Sequence, residues 1–446
     1  MLKDTSGTEK SSTKKSSTEK LSEEKETVKQ YVLRQLIKGR NYTLSFFKWM
    51  VLAIIIGMFV GAFATLFAKC MNTVTAFRVA HSYIIWFLPL AGLLIVGLYR
   101  VTNSDKDKGT NLVISSISSG DDVPFKMAPL IFISTVLTHL FGGSAGREGA
   151  ALQLGGSLGN FVGKLIKLND NDRKVMIMCG MSAAFSALFG TPMAAAVFSL
   201  EVVSVGIMYY SALLPCIFSA IIASRFALDM GISPEHFNIV DIPEFNVING
   251  GKTVILAIVC AFVSVVFCVV IHRTGELLRK YLKNGYVRVL VCSVIIVLLG
   301  FLLNTNDYFG AGVDVIARAI GGEAKPFAFA LKLIFTALTL GAGFKGGEIV
   351  PSFFVGATLG CVLGHILGLS PSLCAAVGMI SLFCGVTNCP IASLLISFEL
   401  FGDEVKMYFL IAIAVSYLMS GYHGLYKEQK IMYSKSKTEF INAKAK

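Results

Sequence analysis

The sequence predicts an all-α, polytopic membrane protein, with many tilted and broken helices arranged as two inverted homologous halves. Three observations carry that expectation. Of 446 residues, 54% are hydrophobic and only 15% are charged, against roughly 25% charged in an average soluble domain. Apolar runs of spanning length recur: "WMVLAIIIGMFVGAFATLFA" from Trp49, "YIIWFLPLAGLLIVGLY" from Tyr83, "VILAIVCAFVSVVFCVVI" from Val254 and "VLVCSVIIVLLGFLL" from Val289. They match a hydrocarbon core of ~30 Å, and their continuity argues against a β-barrel, whose strands alternate. The third observation is that the chain repeats itself.

The repeat is read in two blocks. "GMSAAFSALFGTPMAAAVFSLEV" starts at Gly180 and "GMISLFCGVTNCPIASLLISFEL" at Gly378. Gly180, Pro192 and Glu201 fall on Gly378, Pro390 and Glu399, each 198 positions on. Upstream, "GREGAALQLGGSLGNFVG" from Gly146 lies over "GEIVPSFFVGATLGCVLG" from Gly347, and Gly155, Gly159 and Gly163 fall on Gly356, Gly360 and Gly364. Each block is a ladder of glycines four apart, which lines one helix face and admits a neighbouring backbone. Halves of about 48–230 and 250–425 follow. Paired halves of this kind are a transporter architecture, with the site at their interface near the midplane.

The ends of the chain are basic. Residues 1–50 carry eleven Lys/Arg against six Asp/Glu, and residues 427–446 carry six against two, so the termini hold nine of the net twelve positive charges. The positive-inside tendency puts both ends in the cytoplasm and gives an even number of crossings. The basic tails suit anionic lipid headgroups better than nucleic acid, because no basic domain interleaved with aromatics is present. Residues 1–40 read as a largely disordered cytoplasmic tail, 41–430 as the membrane domain and 431–446 as a second basic tail. The stretch from Val28 to Trp49 suggests an amphipathic interfacial helix, and no cleavable signal precedes the first apolar run. Ten cysteines are scattered, mostly within apolar runs, without CxxC pairs or zinc spacing. They read as small hydrophobes, and no metal or cofactor is expected.

Two segments are broken where proline follows a turn-forming residue: "ALFGTPMAA" around Gly190 and Pro192, and "GVTNCPIAS" around Asn388 and Pro390. Irregular backbone at membrane depth is tolerated only inside protein or beside a water-filled path; a proline kink in a packed helix explains either stretch alone equally well. Broken helices expose free N–H groups and a positive dipole end. Two such ends are visible, "GGSAGREG" leading into a helix from about Gly149 and "GAGFKGGEIVP" leading into one from about Pro351. Glycines keep side chains away from the N–H groups, which makes an anion site without a fixed cation. The candidate donors are Gly146, Gly149, Ala150, Ile349 and Val350. Glu148 then reads as a tethered carboxylate that plugs the site when ionised and leaves when protonated; simple pairing with Arg147 at the membrane surface is the equally weighted alternative.

These motifs carry a family likeness. "GREGA" preceded by "GGSAG", "GGEIVP" and the twofold Gly-Met…Pro…Glu pattern resemble the CLC chloride channel and transporter family over roughly residues 48–430. The resemblance implies a homodimer in the plasma membrane with one anion path per subunit, Glu148 in the position of the external gating glutamate, and Arg147 beside it among the anion-binding residues. "KGTNLVI" from Lys108 looks like the Gly-x-Asn-Leu region of the bacterial fluoride/proton antiporter branch, which makes Thr110 and Asn111 site residues. Thr110 takes a position often held by Met, and Ala150 one held by Pro or Thr. "GYHGLYKEQK" resembles the region of the anion-coordinating tyrosine and points to Tyr426 rather than Tyr422, with an interfacial belt tyrosine as the alternative. Val202 stands where the proton/chloride exchangers carry an internal proton-transfer glutamate; Glu201 and Glu399 read as structural charges. The expected function is fluoride export in exchange for protons, with a chloride channel or chloride/proton exchanger of the same fold as the alternative. An intramembrane enzyme is disfavoured, since no HExxH, GxSxG or paired intramembrane aspartates occur, and a receptor role has no feature of its own.

Overall fold

The computed structural model describes residues 28–104 and 107–446. The tail expected to be disordered falls largely on residues 1–27, outside the described residues. Contacts divide the chain into Met1–Leu52 and Ala53–Lys446. Within the first, the described residues are α-helical from Val28, ahead of the expected boundary at residue 41. The stretch read as an interfacial helix is part of one long helix, α1, Val28–Ala80.

The larger unit carries the site. After the last part of α1 come α2 (Leu88–Val101), α3 (Thr110–Ser119), α4 (Met127–Leu140), α5 (Glu148–Leu165), α6 (Asp170–Phe189), α7 (Pro192–Glu201) and α8 (Leu213–Asp229). The second half supplies α9 (Val247–Tyr281), α10 (Gly285–Leu302), α11 (Val313–Ile320), α12 (Ala328–Ala342), α13 (Ile349–Leu367), α14 (Pro371–Thr387), α15 (Pro390–Phe401) and α16 (Lys406–Met419). Among the described residues six helices are long and apolar enough to cross a membrane. Along α9, Ile255, Ile258 and Phe262 lie exposed, the signature of a face that meets lipid rather than water. By contrast α13 is buried from Ile349 through Cys361.

The repeat is visible in the packing. A methyl group at Gly155 would strike the carbonyl oxygen of Gly180, and one at Gly159 that of Met176; in the second half Gly356 meets Gly378 and Gly360 meets Cys374 in the same way. Helices α5 and α6, and likewise α13 and α14, therefore touch backbone to backbone. Both proline breaks form as expected. Helix α6 ends at Gly190 with φ 71°, and α14 at Asn388 with φ 58°, each left-handed, before a helix restarts at Pro192 or Pro390.

The halves are locked together reciprocally. Glu399 accepts hydrogen bonds from the N–H groups of Met193 and Ala194, both 2.9 Å, at the start of α7. Glu201 accepts from Ile391 and Ala392, at 3.1 and 2.8 Å, at the start of α15. Each carboxylate satisfies the orphan donors of the other half's broken helix. Between them Phe198 stacks on Phe383 at 6.0 Å, and Phe353 meets Phe383 at 5.1 Å.

The C-terminal residues are part of the fold rather than a free tail. Strand β2 (Lys430–Tyr433) pairs in parallel with β1 (Ser204–Val205), and β3 (Phe440–Lys444) returns antiparallel. Val205, Ile431 and Ala445 form a small core beneath this sheet. Tyr417, Tyr422 and Ile441 pack against that core.

Candidate functional site

The starts of α5 and α13 meet across the repeat. Gly146 and Gly347 exchange two backbone hydrogen bonds of 2.7 Å, N–H to carbonyl in each direction. Arg147 and Glu348 then occupy the N-cap positions, and neither helix end has a side-chain cap. Other helices do: Asn169, Asn246, Asn284 and Ser370 each accept a hydrogen bond from a first-turn N–H. The first-turn N–H groups of Gly149 and Ala150, and of Ile349 and Val350, have no intrahelical acceptor. Gly146 differs from the expectation. Its N–H is already engaged with Gly347, so it spaces the two ends instead of offering a donor.

Glycine is required at this meeting point. A Cβ on Gly149 would lie 2.9 Å from the Gly347 Cα, and one on Gly347 would strike the Gly149 nitrogen. Thr110, at the start of α3, donates from its hydroxyl to the Gly149 carbonyl at 3.1 Å and so pins α5 from the side. Asn111 turns towards the C-terminal segment, where its side-chain oxygen accepts from the Glu428 N–H at 3.1 Å.

Glu148 is 1% exposed. Its Oε2 accepts from the Arg147 N–H at 2.9 Å, and its Oε1 lies 3.4 Å from Arg147 Nε. The carboxylate is thus folded over the positive end of its own helix. Arg147 is held by two further partners, donating to Glu235 at 2.8 Å and Asn72 at 3.0 Å. Glu148 stands between two spaces. One is an open vestibule of about 850 Å³ lined by residues including Arg78, His139, Arg147, Asp307 and Asp314. The other is a cavity of about 20 Å³ bounded by Phe189, Val350, Phe353 and Met379.

Tyr426 approaches from the C-terminal segment. It is 2% exposed, its hydroxyl has no hydrogen-bond partner, and both Glu148 and Glu348 act on it electrostatically. Tyr422 instead spends its hydroxyl on Ser434 at 2.8 Å, within the sheet. A buried O–H without a partner is costly, and Tyr426 shares that state with Tyr99, Thr191 and Ser381 among others.

The family model for voltage gated chloride channels matches residues 91–421. The chain belongs to that family. A chloride/fluoride channel protein of Pseudomonas syringae pv. tomato is 34% identical over 395 residues, 87% of either chain. An H(+)/Cl(-) exchange transporter, ClcA, of Salmonella arizonae is 23% identical over 403 residues, 83% of this chain and 84% of that one. Among solved structures, a CLC-type fluoride/proton antiporter superposes with TM-score 0.83 at 32% identity, over 86% of this chain and 98% of that chain. A slow cyanobacterial Cl-/H+ antiporter reaches TM-score 0.74 at 16% identity and shares the fold, over 83% of this chain and 94% of that one. The chain is accordingly a multi-pass membrane protein of an ion-transporting family.

Two site residues escaped the sequence reading. Glu348 is the buried N-cap of α13, and it follows Gly347 as Arg147 follows Gly146. The repeat itself held the signal, since it places Glu348 opposite Arg147. Gln429, fully buried, donates to the carbonyls of Val202 at 3.0 Å and Thr387 at 2.8 Å and accepts from Asn388 at 3.0 Å. It clamps the loop that carries Tyr426 to the last turns of α7 and α14. No stretch of sequence could announce a contact spanning that separation. Among the described residues no His/Cys/Asp/Glu group is arranged to hold a metal.

Proposed function

We propose that this protein exports fluoride in exchange for protons, as a homodimer in the plasma membrane with both termini in the cytoplasm. The observation that carries the reading is the Glu148 carboxylate lying on the uncapped start of its own helix. An anionic side chain held there by backbone N–H groups is a tethered competitor for a halide. Fluoride is small and strongly hydrated, so a site must replace its water with several donors. Gly149, Ala150, Ile349 and Val350 N–H groups and the Tyr426 hydroxyl are the donors assigned, with Thr110 and Asn111 holding the surrounding elements and Arg147 steadying Glu148. When Glu148 takes a proton its hold on the N–H groups weakens, and the halide enters as the carboxyl swings into the vestibule. The reverse movement releases the halide and the proton to opposite sides. The superposing fluoride/proton antiporter supports fluoride, while the name of the Pseudomonas relative gives both halides.

Apolar side chains exposed on α8 and α16, including Ile221, Met407, Leu410 and Leu418, are the faces a second subunit would cover.

Proteoliposomes carrying a fluoride gradient test the reading, with a fluoride electrode and a pH electrode read together. Fluoride efflux with coupled proton uptake is expected, and chloride should move far more slowly. Glu148→Gln should cut proton movement by about a hundredfold, the scale of losing a positioned proton-transfer group. Undiminished proton movement in that variant, or chloride outpacing fluoride in the native protein, overturns the proposal.

A further inference from the structure

Outside Glu148 the vestibule holds charges that the gate does not explain. Arg78, near the end of α1, is 9% exposed and lines the cavity. Its guanidinium donates to the His139 carbonyl at 3.0 Å. Lys332 of α12 is fully buried just behind the cavity wall and donates to the carbonyls of Gly310 at 2.6 Å and Tyr308 at 3.3 Å, with its ammonium 5.1 Å from the Phe354 ring centre. Among the described residues neither cation has a carboxylate within ion-pair distance. Asp314 acts on Arg78 only from further away.

Buried charge without a counter-charge is expensive. Other cations here are paired: Arg147 with Glu148 and Glu235, Arg318 and Lys325 with Asp307. The wall is also shaped for Arg78. Gly310 has φ 61°, and a side chain there would run into the guanidinium. An independent observation lies in the same cavity. His139 is 1% exposed, its Nδ1 bonds the Thr135 carbonyl at 3.0 Å and therefore carries hydrogen, and its Nε2 has no partner. An unpaired cation lining the cavity, a second one behind it and an unpartnered ring nitrogen together suit a hydrated anion.

We infer that Arg78 holds a second halide in the vestibule, outside the Glu148 position. Lys332 strengthens the field from behind, and a water on His139 Nε2 completes the ion's shell. The site serves as a staging post: an ion displaced by the Glu148 carboxylate has a second cationic position to occupy before reaching bulk solvent. The inference rests on the reading that the anion path runs past Glu148 into this vestibule, but not on which halide travels it.

Right-side-out and inverted membrane vesicles distinguish the two faces. Initial halide uptake is measured against halide concentration, once with fluoride and once with chloride, for the native protein, Arg78→Gln, Arg78→Lys and Lys332→Met. The expected result is a half-saturating concentration raised about tenfold in Arg78→Gln, the scale of one charged hydrogen bond, in one vesicle orientation only and substantially recovered in Arg78→Lys. Lys332→Met should show a smaller shift in that same orientation, and it carries the test if Arg78→Gln is not monodisperse. Unchanged saturation, or an equal shift from both faces, overturns the inference. Absence of halide flux in the native protein would instead overturn the transport reading beneath it.

Discussion

Gly146 and Gly347 stand opposite one another in the repeat and bind each other through two backbone hydrogen bonds of 2.7 Å. This pair sets the separation of two helix starts that otherwise belong to different halves. It lies immediately before Arg147 and Glu348, so an error in its geometry passes directly to the N–H groups beyond. The proposed mechanism needs the donors beyond this pair to converge, and the spacing that the two glycines set is what it relies on.

Gly347→Ala is therefore expected to separate the ends. The added methyl would strike the Gly149 nitrogen and lie 3.0 Å from its Cα, with no flexible side chain to give way. Halide flux should fall on the order of tenfold to a hundredfold, as misplacement by an ångström does elsewhere, and stability by about 1–3 kcal/mol from overpacking. Gly251→Ala, where nothing lies within 4 Å, is the control and should leave flux unchanged. Flux and thermal stability of the purified variants check both statements.

Tyr426→Phe separates a ligand from a structural tyrosine. The hydroxyl is buried and unpartnered, so its removal takes no hydrogen bond from the empty protein. Thermal stability without halide should be unchanged or slightly higher, while halide affinity weakens by about 1 kcal/mol, several-fold in half-saturation. A drop in stability with unaltered affinity would make Tyr426 a packing residue.

The legible part of this molecule was whatever the repeat wrote twice. The two glycine ladders, both proline breaks and the two uncapped helix starts lie at fixed offsets, and each has a local cause in glycine or proline geometry. Glu148 stood out as a carboxylate among glycines at a helix start, although its neighbour Arg147 offered a simple ion pair as an equal explanation. Glu348 was hidden by the same symmetry, which drew the comparison to Glu148 and Ile349 and away from Arg147 and its partner. Arg78, Lys332 and Gln429 act through contacts between distant segments, and a single cation in an apolar helix carries no pattern. The C-terminal residues 431–446 read as a basic tail because their few inward side chains, Ile431 and Ala445 among them, are too sparse to show strand alternation.

The crossed caps of Glu201 and Glu399 look like a catalytic pair and behave as braces. Each accepts two backbone N–H groups from the other half. Glu399→Ala is expected to cost about 0.5–2 kcal/mol, as loss of an N-cap does, and Glu201→Ala a similar amount at the start of α15. Proton coupling per halide should persist in whatever protein remains folded. A coupling ratio that collapses at full stability would assign either carboxylate to the proton path.

Lys435 ties the C-terminal hairpin to the helix ends and makes its hold depend on pH. Its ammonium donates to Asn388 Oδ1 at 2.5 Å, the Tyr417 carbonyl at 2.9 Å and Ser420 Oγ at 3.1 Å. Burial, chiefly, pushes its pKa down from 10.5 to about 8. Below about pH 8 both folded and unfolded chains carry the proton, and the fold bears the full cost of a buried cation. Between about 8 and 10.5 the unfolded chain binds more protons than the folded one, so stability rises with pH across that window and levels off above it. In Lys435→Met this rise is expected to vanish from the difference between the two melting profiles, even though the lost donors lower stability overall. Native and variant profiles that run parallel from pH 7 to 11 would show that the side chain titrates as it does in water.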